Sequence, residues 1–219
     1  MLDKSKNNVV IIDYGVGNLL SVMRGVEICG AIPVVTNCPD KISNAERLIL
    51  PGVGAFSEGM KGLSKLNLIE PIKDYVLKGR PFLGICLGMQ MILDESHEFG
   101  INKGLGLIPG KVLSIPGKSA EGEKFKIPHI GWTSIRPGNN SKDWQNTILQ
   151  NTKKEDSVYF VHSFYVLPKH EENTLASCNY AGKDFCAVIN NENIYGCQFH
   201  PEKSGTVGIG ILDFFCNEL

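Results

Sequence analysis

Residues 8–14, NVVIIDY, form an apolar run that stops at the glycine-rich GVGN, and LLSVMRGVEICG (19–30) follows with helical spacing and a terminal glycine. The alternation then repeats. AIPVVT (31–36) predicts a second strand, and AERLILPGVGAF (45–56) predicts a third that ends in a Pro-Gly loop. Helical segments through GMKGLSKLNLIEPIKDYVLKGR (59–80) lead to a fourth strand, PFLGIC (81–86). Strands that read as continuous apolar runs between helices belong to a parallel sheet covered on both faces.

Beyond about residue 105 the texture changes to short β-type runs separated by turn residues. These are KIPHIGWTSIRP, SVYFVHSFYVLP, TLASCNY, FCAVINN and NIYGCQFHP. VINNENIYG predicts a hairpin around 191–193. SGTVGIGILDFFCNEL (204–219) predicts a closing helix with Ser204 as its N-cap. PGKSAEGEKFK (116–126) predicts an exposed loop. The expectation is one α/β domain over 1–219: a central, mostly parallel sheet with helices on both faces, and an antiparallel β portion in the C-terminal half.

Composition narrows the function classes. The 219 residues carry a net charge of −1, and no lysine-arginine tract stands out, so no nucleic-acid partner is expected. No run approaches the roughly 18 apolar residues of a membrane span. The polar start lacks a secretory apolar core, which predicts a cytoplasmic protein. The seven cysteines (29, 38, 86, 178, 186, 197 and 216) contain no C-x-x-C spacing. Neither a metal site nor a disulfide framework is predicted, a reducing compartment fits, and no cofactor is expected. Most of these thiols read as small buried hydrophobes.

Cys86 has different surroundings. Gly84-Ile85-Cys86-Leu87-Gly88 places a thiol between a strand and a helix, with glycines two residues away on each side. A sharp strand-to-helix turn lifts a nucleophile out of the sheet, and close backbone approach there demands small neighbours. A helix N-terminus also favours thiolate. The bland alternative is a buried cysteine in a tight turn.

A nucleophilic thiol needs a base, and the base an orienter. His200 ends an apolar run in GCQFHPEKS, with Glu202 two residues on across Pro201. Extended backbone around a fixed proline lets both side chains point the same way, so the carboxylate can hold the imidazole tautomer. An isolated H-P-E would otherwise be a strand-ending histidine beside a solvated acid. An oxyanion hole would use the N–H of Leu87 and a donor from the PGVGAF loop (51–56). Open parallel sheets gather their sites along that edge.

With these residues in place the chain resembles the class I glutamine amidotransferases, with their flavodoxin-like fold. More narrowly, it is similar to the glutaminase subunits of imidazole glycerol phosphate synthase. DYGVGN, LPGVGAF, GICLGMQ, KIPHIGW, YFVHSFY and QFHPEKS occur in that family's order along nearly the whole chain. GICLGMQ and HPE give only the class, whereas PGVGAF, PHIGW, VHSFY and the lysine of HPEKS narrow it.

The resemblance implies a Cys86–His200–Glu202 triad that hydrolyses L-glutamine, with Val53 and Leu87 forming the oxyanion hole. It places substrate contacts at Gly52, Gly54, Gln90, Glu98, Ser163 and Phe164. Gln90 lies one helical turn past the nucleophile. Glu98, near the end of that helix, would take the substrate's α-ammonium. Without the family, either would read as a solvated helix residue. His129 and His162 read as supports of strand ends. The implied partner is a separate (β/α)8-barrel cyclase subunit that receives ammonia, in a heterodimer, with Lys203 and Asn18 as candidates for the docking face. Read alone, those two are an exposed lysine and a helix N-cap. The family also implies that the PGVG loop gates activity through the Val53 N–H.

Three features depart from the family pattern: Thr133 where asparagine is common, Phe164 where tyrosine is frequent, and the longer 116–126 segment. They fit a paralogous branch that feeds ammonia to sugar amidotransferases of surface polysaccharide (O-antigen) synthesis, which is the alternative acceptor. Two rival classes remain: a cysteine peptidase-like hydrolase on a similar scaffold, and a non-catalytic interaction subunit.

Overall fold

The structure is a computed structural model that describes residues 7–118, 122, 124–139 and 143–219. The 116–126 loop expectation thus lies partly outside the described residues; Lys118 and Lys124 at its flanks pair as an isolated antiparallel bridge.

The first half alternates as its pattern requires: β1 (Asn8–Ile12), α1 (Leu19–Ile28), β2 (Ile32–Thr36), a short α2 (Pro39–Ser43), β3 (Arg47–Gly52), α3 (Phe56–Lys65), α4 (Ile69–Leu77), β4 (Phe82–Cys86) and α5 (Leu87–Met91). Then come β5 (Glu95–Ser96), β6 (Asn102–Lys103), β7 (Gly110–Ser114), β8 (His129–Pro137), β9 (Ser157–His162), β10 (Phe164–Pro168), β11 (Thr174–Tyr180), β12 (Lys183–Asn191), β13 (Ile194–Cys197) and α6 (Gly205–Asn217).

Nine strands form one sheet in the order β2-β1-β3-β4-β13-β12-β11-β8-β9. Its first five strands run parallel, and the remainder are antiparallel. The predicted hairpin joins β12 to β13: Asn191 pairs with Ile194, and Glu192 takes the positive φ (51°) that the two-residue turn needs. Because β13 pairs with β4, the late hairpin delivers a strand to the centre of the early sheet. A second sheet, β10-β7-β5-β6, packs beside the first.

The period of two along each strand sorts side chains into two cores. In β1, Val9 and Ile11 join the cluster with Val22 and Val26 of α1 and Leu212 and Phe215 of α6. Val10 and Ile12 join the opposite cluster with Phe56, Leu63, Ile72 and Tyr75 from α3 and α4. Each large apolar side chain so buried contributes about 1.5–3 kcal/mol.

Two local expectations need correction. Ser204 does stand at the start of α6, but its side chain makes no cap hydrogen bond. Instead Ser204 Oγ donates to the His200 carbonyl at 2.7 Å and accepts from Tyr159 N–H at 3.0 Å, tying the His200 turn to β9. The helix after Cys86 is only five residues long, so Glu98 is not near its end; it follows β5. The reason is tertiary. The N–H groups of Leu105, Leu107 and Gly106 bond the carbonyls of Met91, Ile92 and Leu93, so a returning loop ends the helix.

Candidate active site

Cys86 closes β4 with φ 54° and ψ −107°, a left-handed conformation that costs a non-glycine residue about 1–3 kcal/mol. This strain is what an elbow consists of: the side chain is turned out of the sheet while α5 begins immediately. Gly88 permits it, because a Cβ there would overlap the carbonyl of Leu50 on β3. With α5 so short, its dipole is a smaller influence on the sulfur than a full helix would be.

β13 runs parallel to β4, with Cys197 opposite Ile85, so the chain leaving it reaches the same sheet edge. There His200 Nδ1 donates to Glu202 Oε1 at 2.8 Å, both side chains being almost fully buried. A carboxylate only accepts, so Nδ1 carries the proton. Nε2 is buried without a closed hydrogen bond to a protein group, although Cys86 lines the same cleft. Burial works against the imidazolium, but interaction with Cys86, then with Glu202, outweighs it and raises His200 to about 9. Such a group holds a proton through neutral pH.

The cleft measures about 320 Å³, at the small end of ligand sites. Of the residues named from sequence, Val53, Gly54, Cys86, Leu87, Gln90, Glu98, Ser163, Phe164 and His200 line it. Gly52 lies just behind, opposite Cys86 in the β3–β4 register. Tyr14 braces that loop, donating to the Pro51 carbonyl at 2.7 Å. Ser163 and Phe164 reach the cleft because the run 157–168 is not one strand. It breaks at Ser163, with β9 in the large sheet and β10 in the small one.

Glu98 Oε2 accepts from Phe56 N–H, the first turn of α3, at 2.6 Å. No lysine or arginine pairs with Glu98 among the described residues. Lys203 is exposed, and Asn18 caps α1 by accepting from Ser21 N–H at 3.4 Å. No cluster of three metal-binding side chains occurs among the described residues.

Gln198 escaped the sequence reading. Fully buried between Cys197 and Phe199, its Nε2 donates to Cys86 Sγ at 3.9 Å while its Oε1 accepts from Gln90 Nε2 at 3.2 Å. A polar residue inside an otherwise apolar strand end was the available signal. Gln198→Leu would remove a donor to sulfur and leave Gln90 Nε2 with the Phe164 carbonyl as its remaining acceptor. Glutamine-dependent kcat/KM is expected to fall about tenfold, and an unchanged value would refute this role.

His162 and His129 form a buried relay. His162 Nδ1 donates to the Phe164 carbonyl at 2.8 Å, so its Nε2 accepts from His129 Nδ1 at 3.0 Å. His129 Nε2 in turn accepts from Thr133 Oγ1 at 2.8 Å. Burial is the main cause that pushes both histidines down to about 4. Folded values below the unfolded 6.5 mean that the unfolded state binds protons first. Stability is therefore complete above about pH 6.5 and declines toward pH 4, by roughly 3 kcal/mol for the first proton. His200 has the opposite sign: its contribution is complete below about 6.5 and is lost as pH rises through about 9. Urea midpoints measured from pH 4.5 to 9.5 should be highest near neutrality. A flat acid limb above pH 4.5, where ordinary carboxylates stay charged, would contradict the neutral pair.

The elbow, the paired imidazole and carboxylate and the mixed sheet together define a class. Residues 10–217 match the family model for class I glutamine amidotransferase, and the chain belongs to that family. Among curated relatives, it is 53% identical over 209 residues to imidazole glycerol phosphate synthase subunit HisH 1 of Legionella pneumophila (strain Lens), covering 95% of this chain and 98% of that protein. It is 46% identical over 208 residues to subunit HisH of Geobacter sulfurreducens, covering 94% and 97%. Among solved structures, PurLQS from Thermotoga maritima superposes with a TM-score of 0.69 over 95% of this chain and 96% of that one, at 21% identity, which supports the fold alone.

Proposed function

We propose that this chain is a glutaminase subunit of imidazole glycerol phosphate synthase, acting in histidine biosynthesis. It hydrolyses L-glutamine to glutamate and ammonia and hands the ammonia to a separate (β/α)8-barrel cyclase. The observation that carries the reading is the meeting of Cys86, His200 and Glu202 at the edge where β4 and β13 end side by side.

Cys86 sulfur attacks the side-chain amide carbon while the proton that the two groups share sits on His200 Nε2, and a C–S bond forms as the carbonyl electrons move to oxygen. The N–H groups of Leu87 and the Val53 loop receive that oxyanion. Collapse expels the amine, which takes the proton from His200 and leaves as ammonia. Water then attacks the γ-glutamyl thioester, giving its proton to His200, and the sulfur departs to recover it. Glu98, unpaired by any cation in the described residues, would receive the α-ammonium. Ser163, Phe164, Gly52 and Gly54 supply backbone along the cleft, and Gln90 packs against the Phe164 carbonyl at 3.2 Å.

Asn18 and exposed Lys203 would face the barrel, with Trp132, more than half exposed and close to Gly205, beside them. The large sheet draws strands from both halves of the sequence, which supports one domain over 1–219. A cytoplasmic setting accords with seven free cysteines; among the described residues, no helix is long and apolar enough to cross a membrane.

The deciding assay measures glutamate release by the chain alone, with a cyclase barrel and its ribotide substrate, and with a sugar amidotransferase. Strong activation by the cyclase alone is expected. Activation only by the sugar enzyme would redirect the ammonia, and peptide cleavage without glutamine turnover would overturn the reading.

A further inference from the structure

Two buried imidazoles beside the cleft take no part in the triad. His162 lines the cleft next to Ser163 and Phe164, and His129 lies behind it. In His162, Nδ1 donates to the Phe164 carbonyl at 2.8 Å while Nε2 accepts from His129 Nδ1 at 3.0 Å. Both ring nitrogens are engaged, so His162 has no lone pair left to act as a base. The Phe164 carbonyl is where this pair meets the groups around the sulfur. It also accepts from Gln90 Nε2 at 3.2 Å; that amide bonds Gln198 Oε1 at 3.2 Å, and Gln198 Nε2 reaches Cys86 Sγ at 3.9 Å.

We propose that His162 is a positioning residue for glutamine turnover: locked in one tautomer by His129 and Thr133, it fixes the Phe164 carbonyl and the stretch of backbone against which glutamine lies. This role rests on the reading of the chain as a glutaminase.

The backbone at this point needs holding. Ser163 belongs to neither β9 nor β10, so the change of sheet interrupts the ladder there. The Ser163 carbonyl is taken by Ile115 N–H at 2.9 Å, which ties down one peptide. The next carbonyl, that of Phe164, has two side-chain donors: His162 from two residues back and Gln90 from α5. A carbonyl oxygen has two lone pairs, and these donors fill them.

The order of protons is set from the far end. His129 stacks on Tyr180, with 3.9 Å between ring centroids, and on Phe160, with 4.9 Å. Stacking holds the ring plane and leaves its edge to bond, Nδ1 to His162 and Nε2 to Thr133 Oγ1 at 2.8 Å. Because the Phe164 carbonyl only accepts, each imidazole must carry its proton on Nδ1, and the Thr133 hydroxyl is the donor that closes the row. Thr133, a departure from the family pattern, thus supplies the donor that an asparagine amide can also supply. Burial pushes both imidazoles down to about 4 and keeps them neutral, so neither sets a positive charge against the α-ammonium in the cleft that Glu98 also lines.

The experiment uses the chain reconstituted with the cyclase barrel and its ribotide, and reads KM and kcat for glutamine separately. His162→Leu is expected to raise KM about tenfold with kcat within about threefold. His162→Asn, whose amide keeps a donor near the Nδ1 position, should recover most of that loss. Thr133→Val should raise KM about threefold, whereas Thr133→Ser should leave it unchanged. Thr133 does not line the cleft, so this pair carries the test if His162→Leu fails to fold. Nitrogen NMR of histidine-labelled wild type should show the Nδ1–H tautomer at His129 and His162, with the His162 signal moved in Thr133→Val. In a chain that turns over glutamine, an unchanged KM in both His162→Leu and Thr133→Val, or an Nε2–H tautomer at His162, would overturn this role alone. Both Nδ1–H tautomers in a wild type that hydrolyses no glutamine with any partner would overturn the glutaminase reading, and the positioning role with it.

Discussion

Cys86→Ala is expected to lower glutamine-dependent product formation by more than about a thousandfold while leaving ammonia-dependent synthesis by the partner within about twofold. The asymmetry follows from where the sulfur sits. It is the atom that would bond to substrate, so removing it leaves no covalent route. The synthase that uses ammonia is a separate chain and loses nothing. Alanine also keeps the elbow small, so the β3–β4–α5 packing around Gly88 survives. Two assays on one reconstituted complex, with glutamine and with an ammonium salt at alkaline pH, read both quantities. Equal loss of both would mean that the chain serves the complex structurally and that Cys86 is not a nucleophile.

Glu202→Gln should cost about a hundred- to ten-thousandfold in glutamine-dependent kcat/KM with little change in fold. The side chain is isosteric, and the crevice between Gly25 and Leu212 accepts it. The carboxylate does more than fill space. Its Oε1 accepts the Nδ1 proton at 2.8 Å, which keeps Nε2 on the cleft side with Cys86. Glutamine can offer N–H at the same place. The imidazole then relieves the clash by carrying its proton on Nε2, where it cannot take one from sulfur. Loss of the negative charge also removes one of the interactions that raise His200 to about 9. The alkaline limb of the rate profile should therefore move to lower pH. A variant within threefold of wild type, with an unmoved profile, would show that Glu202 does not orient the base.

How far the sequence disclosed this arrangement depends on the range of the forces involved. The elbow at Cys86 was legible because strand, glycines and helix are adjacent in sequence and obey local sterics. The hairpin at 191–194 was legible for the same reason. His200 and Glu202 were readable as a pair from their spacing across Pro201, but their meeting with Cys86 needed β13 to pair with β4, a contact across more than a hundred residues.

Other features were hidden. The break at Ser163 lies inside an apolar run whose two halves are both largely buried, so periodicity carries no mark of the change of sheet. The early end of α5 is imposed by N–H groups of residues 105–107 that take its last carbonyls. Glu98 consequently reaches the cleft from a turn after β5, and its bond to Phe56 N–H belongs to a helix start forty residues earlier. Ser204 looked like a cap, but its hydroxyl has stronger claims on it from His200 and Tyr159.

The backbone at Cys86 has an evolutionary corollary. A dihedral of 54° suits glycine better than any side chain that could act as a nucleophile, so substitutions that favour folding at this position are those that extinguish chemistry. Selection must retain the thiol against a steady bias in the opposite direction. A lineage released from the need for glutamine hydrolysis would lose its sulfur here early, and gain robustness in doing so.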